Sequence, residues 1–107
     1  MTDVVIVWTT VPDTEAGEAL ARALVDSRLA ACVSLSAPIT SIYRWDGRVA
    51  AERERQLWIK TTTGRVAALR ARLESLHPYE VPELLICPVA DGSTAYLGWV
   101  RSETTTD

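Results

Sequence analysis

The chain has a single histidine, His77, in the stretch HPYEVPE at residues 77–83, so Tyr79, Glu80 and Glu83 follow it within one short segment. Imidazole is the side chain best suited to hold a transition metal or to move a proton near neutral pH. One imidazole per chain supplies few ligands, so a metal site here needs Cys or Glu donors from elsewhere, including other copies of the chain. The bland reading is a helix-end residue whose ring complements the helix dipole. The thiols are Cys32 in LAACVS and Cys87 in LLICPV. Both lie in apolar, strand-like runs, where a free cysteine behaves as a small buried hydrophobe. No CxxC pair is present, and no basic residue adjoins either cysteine to activate it, so a nucleophile served by His77 as base is not expected and the chain reads as a non-enzyme.

The elements that must position these residues follow from pattern. DVVIVWTT is a β-branched run closed by Pro12 and Asp13, a buried strand and then a turn. Asp13 is placed to cap a helix in which Ala16, Ala19, Leu20, Ala23 and Leu24 recur at helical spacing, ending near Arg28. AACVSLSAPITSIYRW is a second strand that Pro38 bends. Asp46-Gly47 supplies a type I′ turn, so this strand and the segment from Arg48 to Thr61 form one long hairpin. Thr62 or Thr63 caps a second helix with Val66, Leu69, Leu73 and Leu76 on one face, and Pro78 forbids its continuation. ELLICPV is a fourth strand. TAYLGWVRS is a closing helix packed through Tyr96, Leu97, Trp99 and Val100, and Ser102 to Asp107 reads as a loose tail.

The resulting order, βαββαβ(α), predicts an α+β ferredoxin-like sandwich over 1–107 as a single domain. Its antiparallel sheet is ordered fourth, first, third, second strand, with the first two helices on one face. Cys32 and Cys87 then lie on opposite edge strands about 14 Å apart, too far for a disulfide. Each arm of the hairpin runs on the order of 40–50 Å if continuous, whereas a domain of this length has a radius of gyration of about 13 Å. The overhang carries Tyr43, Trp45 and Trp58, and further copies of the chain are the simplest way to bury it. Glu54, Gln56, Trp58 and Lys60 alternate onto one face of the arm, most simply as an interfacial ladder.

Composition narrows the classes. Hydrophobic residues at 48% and charged residues at 23% suit a folded globular chain, and a formal net charge of -3 argues against nucleic acid as a partner. No apolar run reaches the roughly 20 residues of a membrane span. The opening MTDVVIVW lacks the pattern of a signal peptide, so a cytoplasmic location is expected.

The motifs TTVPD (9–13), LAACVS (29–34), SIYRWDG (41–47), IKT (59–61), HPYEVPE (77–83) and YLGWV (96–100) occur in an order that resembles the CutA family, the divalent-cation tolerance proteins. The resemblance implies a tightly packed homotrimer with hairpins paired between subunits, a cytoplasmic location, and an association with copper and other divalent metals, bound weakly and with no organic cofactor. On that basis His77, Cys32 and Glu54 are the candidate metal ligands, shared across an interface. An alternative is a PII-like signalling module whose intersubunit cleft, near Arg22, Tyr43, Trp45, Lys60, Tyr79 and Glu80, holds a small anion or nucleotide. Some members carry a cysteine near the end of the first strand, where this chain has Thr9 and Thr10. Other ferredoxin-like functions lack their residues: there is no cysteine pair after the first strand for a copper chaperone, no asparagine for an acylphosphatase, and no phenylalanine or basic surface for an RNA-recognition domain.

Overall fold

The computed structural model describes residues 2–105. β1 (Val4–Pro12) leads to α1 (Ala16–Asp26), β2 (Cys32–Leu35) and β3 (Ile39–Trp45). β4 (Arg48–Thr62), a 3-10 turn at Thr63–Arg65, α2 (Val66–Leu76), β5 (Leu85–Pro88) and α3 (Thr94–Glu103) complete the chain. All pairings are antiparallel in the order β2-β4-β1-β5, with β3 extending along the far half of β4. This is the expected α+β sandwich with its long hairpin.

One arm of that hairpin is interrupted where Pro38 predicted it. Leu35 pairs with Leu57 and Ile39 with Glu54, so three residues of this arm oppose two of β4, a bulge that separates β2 from β3. Proline has no N–H for the ladder, and the Ser36 hydroxyl accepts from the Gln56 backbone N–H at 2.8 Å instead. At the tip, Asp46 and Gly47 both take positive φ, 52° and 75°, as a type I′ turn demands.

Parity along β1 and β4 decides the layers. Val5, Val7 and Val11 join Leu57 and Ile59 beneath Leu20 and Leu24 of α1 and Leu69 and Leu73 of α2. Gly17 lets α1 approach closely, because a Cβ there would lie 2.7 Å from a Val11 methyl. On the opposite face α3 packs Leu97 and Val100 against Val4 and Ala31. Beyond Pro12 and Glu54, where β1 ends, β3 and β4 continue alone as a two-stranded ribbon. The molecule is accordingly elongated, 44 × 25 × 23 Å.

Several sequence expectations need correction. Asp13 does not cap α1: the N-cap is Glu15 without a side-chain bond, and Asp13 instead accepts from Arg55 at 3.0 Å. Neither Thr62 nor Thr63 caps α2, because the 3-10 turn intervenes. Leu76 is exposed, since the helix face turns away from the sheet in its last turn. Tyr96 and Trp99 do not seal α3 onto this chain's core; they stack on each other with ring centroids 5.5 Å apart and stay over 40% exposed. The tail is less loose than its composition suggests: α3 runs to Glu103, and buried Thr104 donates to the Val100 carbonyl at 2.8 Å. Thr106 and Asp107, the remainder of that expectation, lie outside the described residues. Cys87 is exposed, because β5 is a short edge strand with no residue buried.

Candidate functional site

β5 pairs only with Val5–Trp8, which leaves the rest of that β1 edge without a strand partner. The segment that begins at His77 takes over there. His77 is the C-cap of α2, turned into extended backbone by the following proline, and is 8% exposed. Its Nε2 lies 2.8 Å from the Thr10 carbonyl, which can only accept, and its Nδ1 accepts the backbone N–H of Tyr79 at 3.1 Å. These two bonds fix the neutral tautomer with the proton on Nε2. Thr9 Oγ1 is 3.3 Å from the same nitrogen. Burial lowers the ring's proton affinity below its ordinary value, with the Thr10 carbonyl and the Glu54 charge acting in the opposite sense. Both nitrogens are therefore occupied within the chain, and His77 reads as a strut that holds a loop to a strand.

Tyr79 carries the connection across to β4. Its hydroxyl donates to Glu54 Oε2 at 2.7 Å, and Glu54 is 7% exposed. Burial, followed by the bond to Glu54 and its charge, pushes the phenol well above the usual tyrosine range, so it remains a donor. Around this pair the ribbon and the 78–83 segment enclose a cleft of about 820 Å³, into which Tyr43, Trp45, Glu54, Tyr79, Glu80 and Glu83 all face. Burial and then Glu54 raise the Glu83 carboxyl above its ordinary value.

A second polar cluster lies farther down the sheet. Cys32 pairs with Lys60, whose ammonium donates to Ser34 Oγ at 2.8 Å and stands 3.8 Å from Cys32 Sγ. The cysteine thus has a basic neighbour across the strand that no sequence adjacency revealed. Tyr96 of α3 is close enough that Cys32, after burial, raises its phenol.

The structure brings His77, Tyr79 and Glu54 together and sets Cys32 apart: Lys60, opposite Cys32, is six positions along β4 from Glu54, about 20 Å. Among the described residues no group of three His, Cys, Asp or Glu side chains converges on one point. A divalent metal needs several donors at 2.0–2.6 Å, so the three candidate ligands do not fit a metal inside one copy. Tyr43, Trp45, Tyr79 and Glu80 line one cleft within the chain, where the expectation was a cleft between subunits, and Lys60 and Arg22 do not line it. Arg22 pairs with Glu18 on the exposed side of α1, across the sheet from Lys60. Thr9 and Thr10 were missed, although a hydroxyl at the inward-facing position shared by Val5, Val7 and Val11 was a legible signal that something polar must meet it. Glu83 and Ser34 were missed because their partners are distant in sequence.

A profile for the CutA1 divalent ion tolerance protein matches residues 5–103. The divalent-cation tolerance protein CutA of Thermus thermophilus is 46% identical over 99 residues, 92% of this chain and 96% of that one. The crystal structure of CutA from Xylella fastidiosa superimposes with a TM-score of 0.94 at 40% identity, covering 97% of this chain and all of that one. A periplasmic divalent cation tolerance protein of Archaeoglobus fulgidus superimposes with a TM-score of 0.91 at 28% identity, over 95% of this chain and 99% of the other. The chain spans about half the length of the plant and human relatives that it also matches.

Proposed function

The chain belongs to the CutA1 divalent ion tolerance family, and from that premise we propose that it acts in tolerance to divalent cations as a homotrimer, with metal contacts drawn from more than one copy. One observation carries the assembly: the ribbon exposes Ile42, Val49 and Trp45 at 72%, 66% and 57%. Edge strand β5 adds Leu85 and Ile86. A two-stranded ribbon with this much bare apolar surface is unstable by itself, and copies related by closed symmetry cover such surfaces mutually. The relatives' name supports the metal reading, and the scattering of donors within one copy supports a shared site.

In this reading Cys32 and Glu54 are the metal-facing groups, with copper or another divalent cation as the weakly bound species, and His77, without ligating, holds the loop whose Tyr79 donates to Glu54. In the same reading the protein is not an enzyme and works in the cytoplasm. A PII-like anion or nucleotide cleft is less well supported, since the cleft is lined by carboxylates while Lys60 and Arg22 lie elsewhere. The test is copper titration of the assembled wild type beside Cys32→Ser, Glu54→Gln and His77→Gln, with the mass followed by light scattering. The expected result is a three-chain mass, with binding weakened by the first two variants and unchanged by the third. A monomer that retains its affinity in all variants would sink the proposal.

A further inference from the structure

We infer that Arg55, bonded at once to Asp13 and to the Ser36 carbonyl, is a clamp that fixes the angle at which the ribbon leaves the body and so presents the ribbon to a neighbouring copy. Its Nε donates to Asp13 Oδ1 at 3.0 Å, and its Nη1 donates to the Ser36 carbonyl at 3.3 Å. The donors of a guanidinium are planar and point in fixed directions. One side chain on β4 thereby joins the turn between β1 and α1 to the bulge between β2 and β3. Asp13 closes the TTVPD stretch and has no other part to play, since it does not cap α1.

The root of the ribbon is where the backbone ladders hold β4 least. On one edge β1 ends at Pro12, opposite Glu54, and on the other the bulge from Ser36 to Pro38 interrupts the pairing. Neither proline has an N–H to give. A bulge bends the strand that carries it, and neither core includes any residue of 39–53, so no packed layer corrects the bend. Neighbouring strand residues face opposite sides: Arg55 is fastened on the side of Leu57 and Ile59, and Glu54 is fastened by Tyr79 on the other. The lever is long. From Arg48 to Glu54 the ribbon spans about 23 Å at about 3.3 Å per residue, so a tilt of about 10° at the root moves the tip about 4 Å, close to one interstrand spacing. A ribbon moved that far meets its neighbour out of register. The Arg55–Asp13 side chains are 34% and 31% exposed, and an ion pair so open to water adds little to the stability of the chain. Its effect falls on direction instead.

The presenting role rests on the homotrimer reading, whereas the clamp itself does not, so the experiment reads the two separately. The full chain is compared with Asp13→Ala, Arg55→Met and the double variant, each checked for its fold by circular dichroism. Sedimentation over a concentration series reports assembly. Amide residual dipolar couplings of residues 40–53 against those of β1 report the ribbon angle, measured in a background of Ile42→Asp and Val49→Asp, exposed positions chosen to keep the chains apart. The expected result is a reoriented ribbon in both single variants, more so in Arg55→Met because it loses both bonds, and a dissociation midpoint raised at least about fivefold. The double variant should match Arg55→Met, since the two residues act as one unit. The unfolding equilibrium constant of the separated chain should change less than about fivefold. Unchanged couplings in both single variants would overturn the clamp whatever the mass. A reoriented ribbon with unchanged dissociation would overturn its role in assembly. A wild type that is monomeric throughout would sink the homotrimer reading and the presenting role with it, leaving the couplings to decide the clamp.

Discussion

β4 lives in two environments along one strand. From Leu57 to Thr61 its side chains alternate, with Leu57, Ile59 and Thr61 fully buried under the helices, whereas from Arg48 to Arg53 no residue is fully buried. Both halves have strand partners, on both edges for Leu57 to Lys60 and on one edge for Arg48 to Arg53. What differs besides is the covering: β1 and β2 flank the Leu57–Thr61 half and two helices lie over it, whereas only β3 stands beside the other half. Hydrogen bonding therefore makes the ribbon a ribbon, while burial makes the body stable.

Substitutions can break this contrast. The largest effect is expected from Leu57→Ala, a buried truncation that should cost about 2–5 kcal/mol in chemical denaturation. His77→Ala should cost about 2–3 kcal/mol, because it strips the Thr10 carbonyl and the Tyr79 N–H of their partner at the junction of body and ribbon. The same residue predicts a pH dependence. The fold holds His77 neutral with its proton affinity lowered by burial, whereas the unfolded chain takes a proton at a pKa of about 6.5. Its contribution is thus complete above about pH 6.5 and declines as pH falls from there through the lower folded value, becoming flat below it. A denaturation midpoint that falls between pH 7.5 and 5.5 (about one unit either side) in wild type more than in His77→Gln would confirm this, and equal slopes would refute it.

Tyr79→Phe is expected to cost about 1–2 kcal/mol by leaving Glu54 without its donor, read as a lower denaturant midpoint. The smallest effect on the fold should come from Val49→Ala in the ribbon, under about 0.5 kcal/mol when the chain is dilute enough to be dissociated. In the assembled protein that substitution should instead raise the dissociation constant measured by analytical ultracentrifugation. A Val49 cost matching that of Leu57 in the dissociated chain would erase the distinction between the two halves.

Much of the fold was legible because local rules and global topology agree. The valine-rich β1, the Asp46-Gly47 turn and the break at Pro38 each have a local steric cause. The helix caps were read wrongly because Asp13 had a better partner in Arg55, 42 positions away, and the 3-10 turn displaced the start of α2. Of the candidate site, Tyr43, Trp45, Tyr79 and Glu80 were found as a group, since the ribbon and the proline-bounded loop could be located in sequence. The partners of His77 could not be found that way, because β1 and the end of α2 meet only when the sheet edge is left open.

The amino-acid order by itself determined the strands, the helices, the turn and the surplus of apolar surface on the ribbon, all of which follow from side-chain volume, periodicity and backbone sterics over short spans. Only the tertiary structure decided that the lone imidazole spends both nitrogens on its own chain, that Lys60 faces Cys32, and that Glu54 is buried against an aromatic cleft. Hydrogen bonds and charges act over a few ångströms in space, and the residues that fall within that distance are chosen by how the layers close.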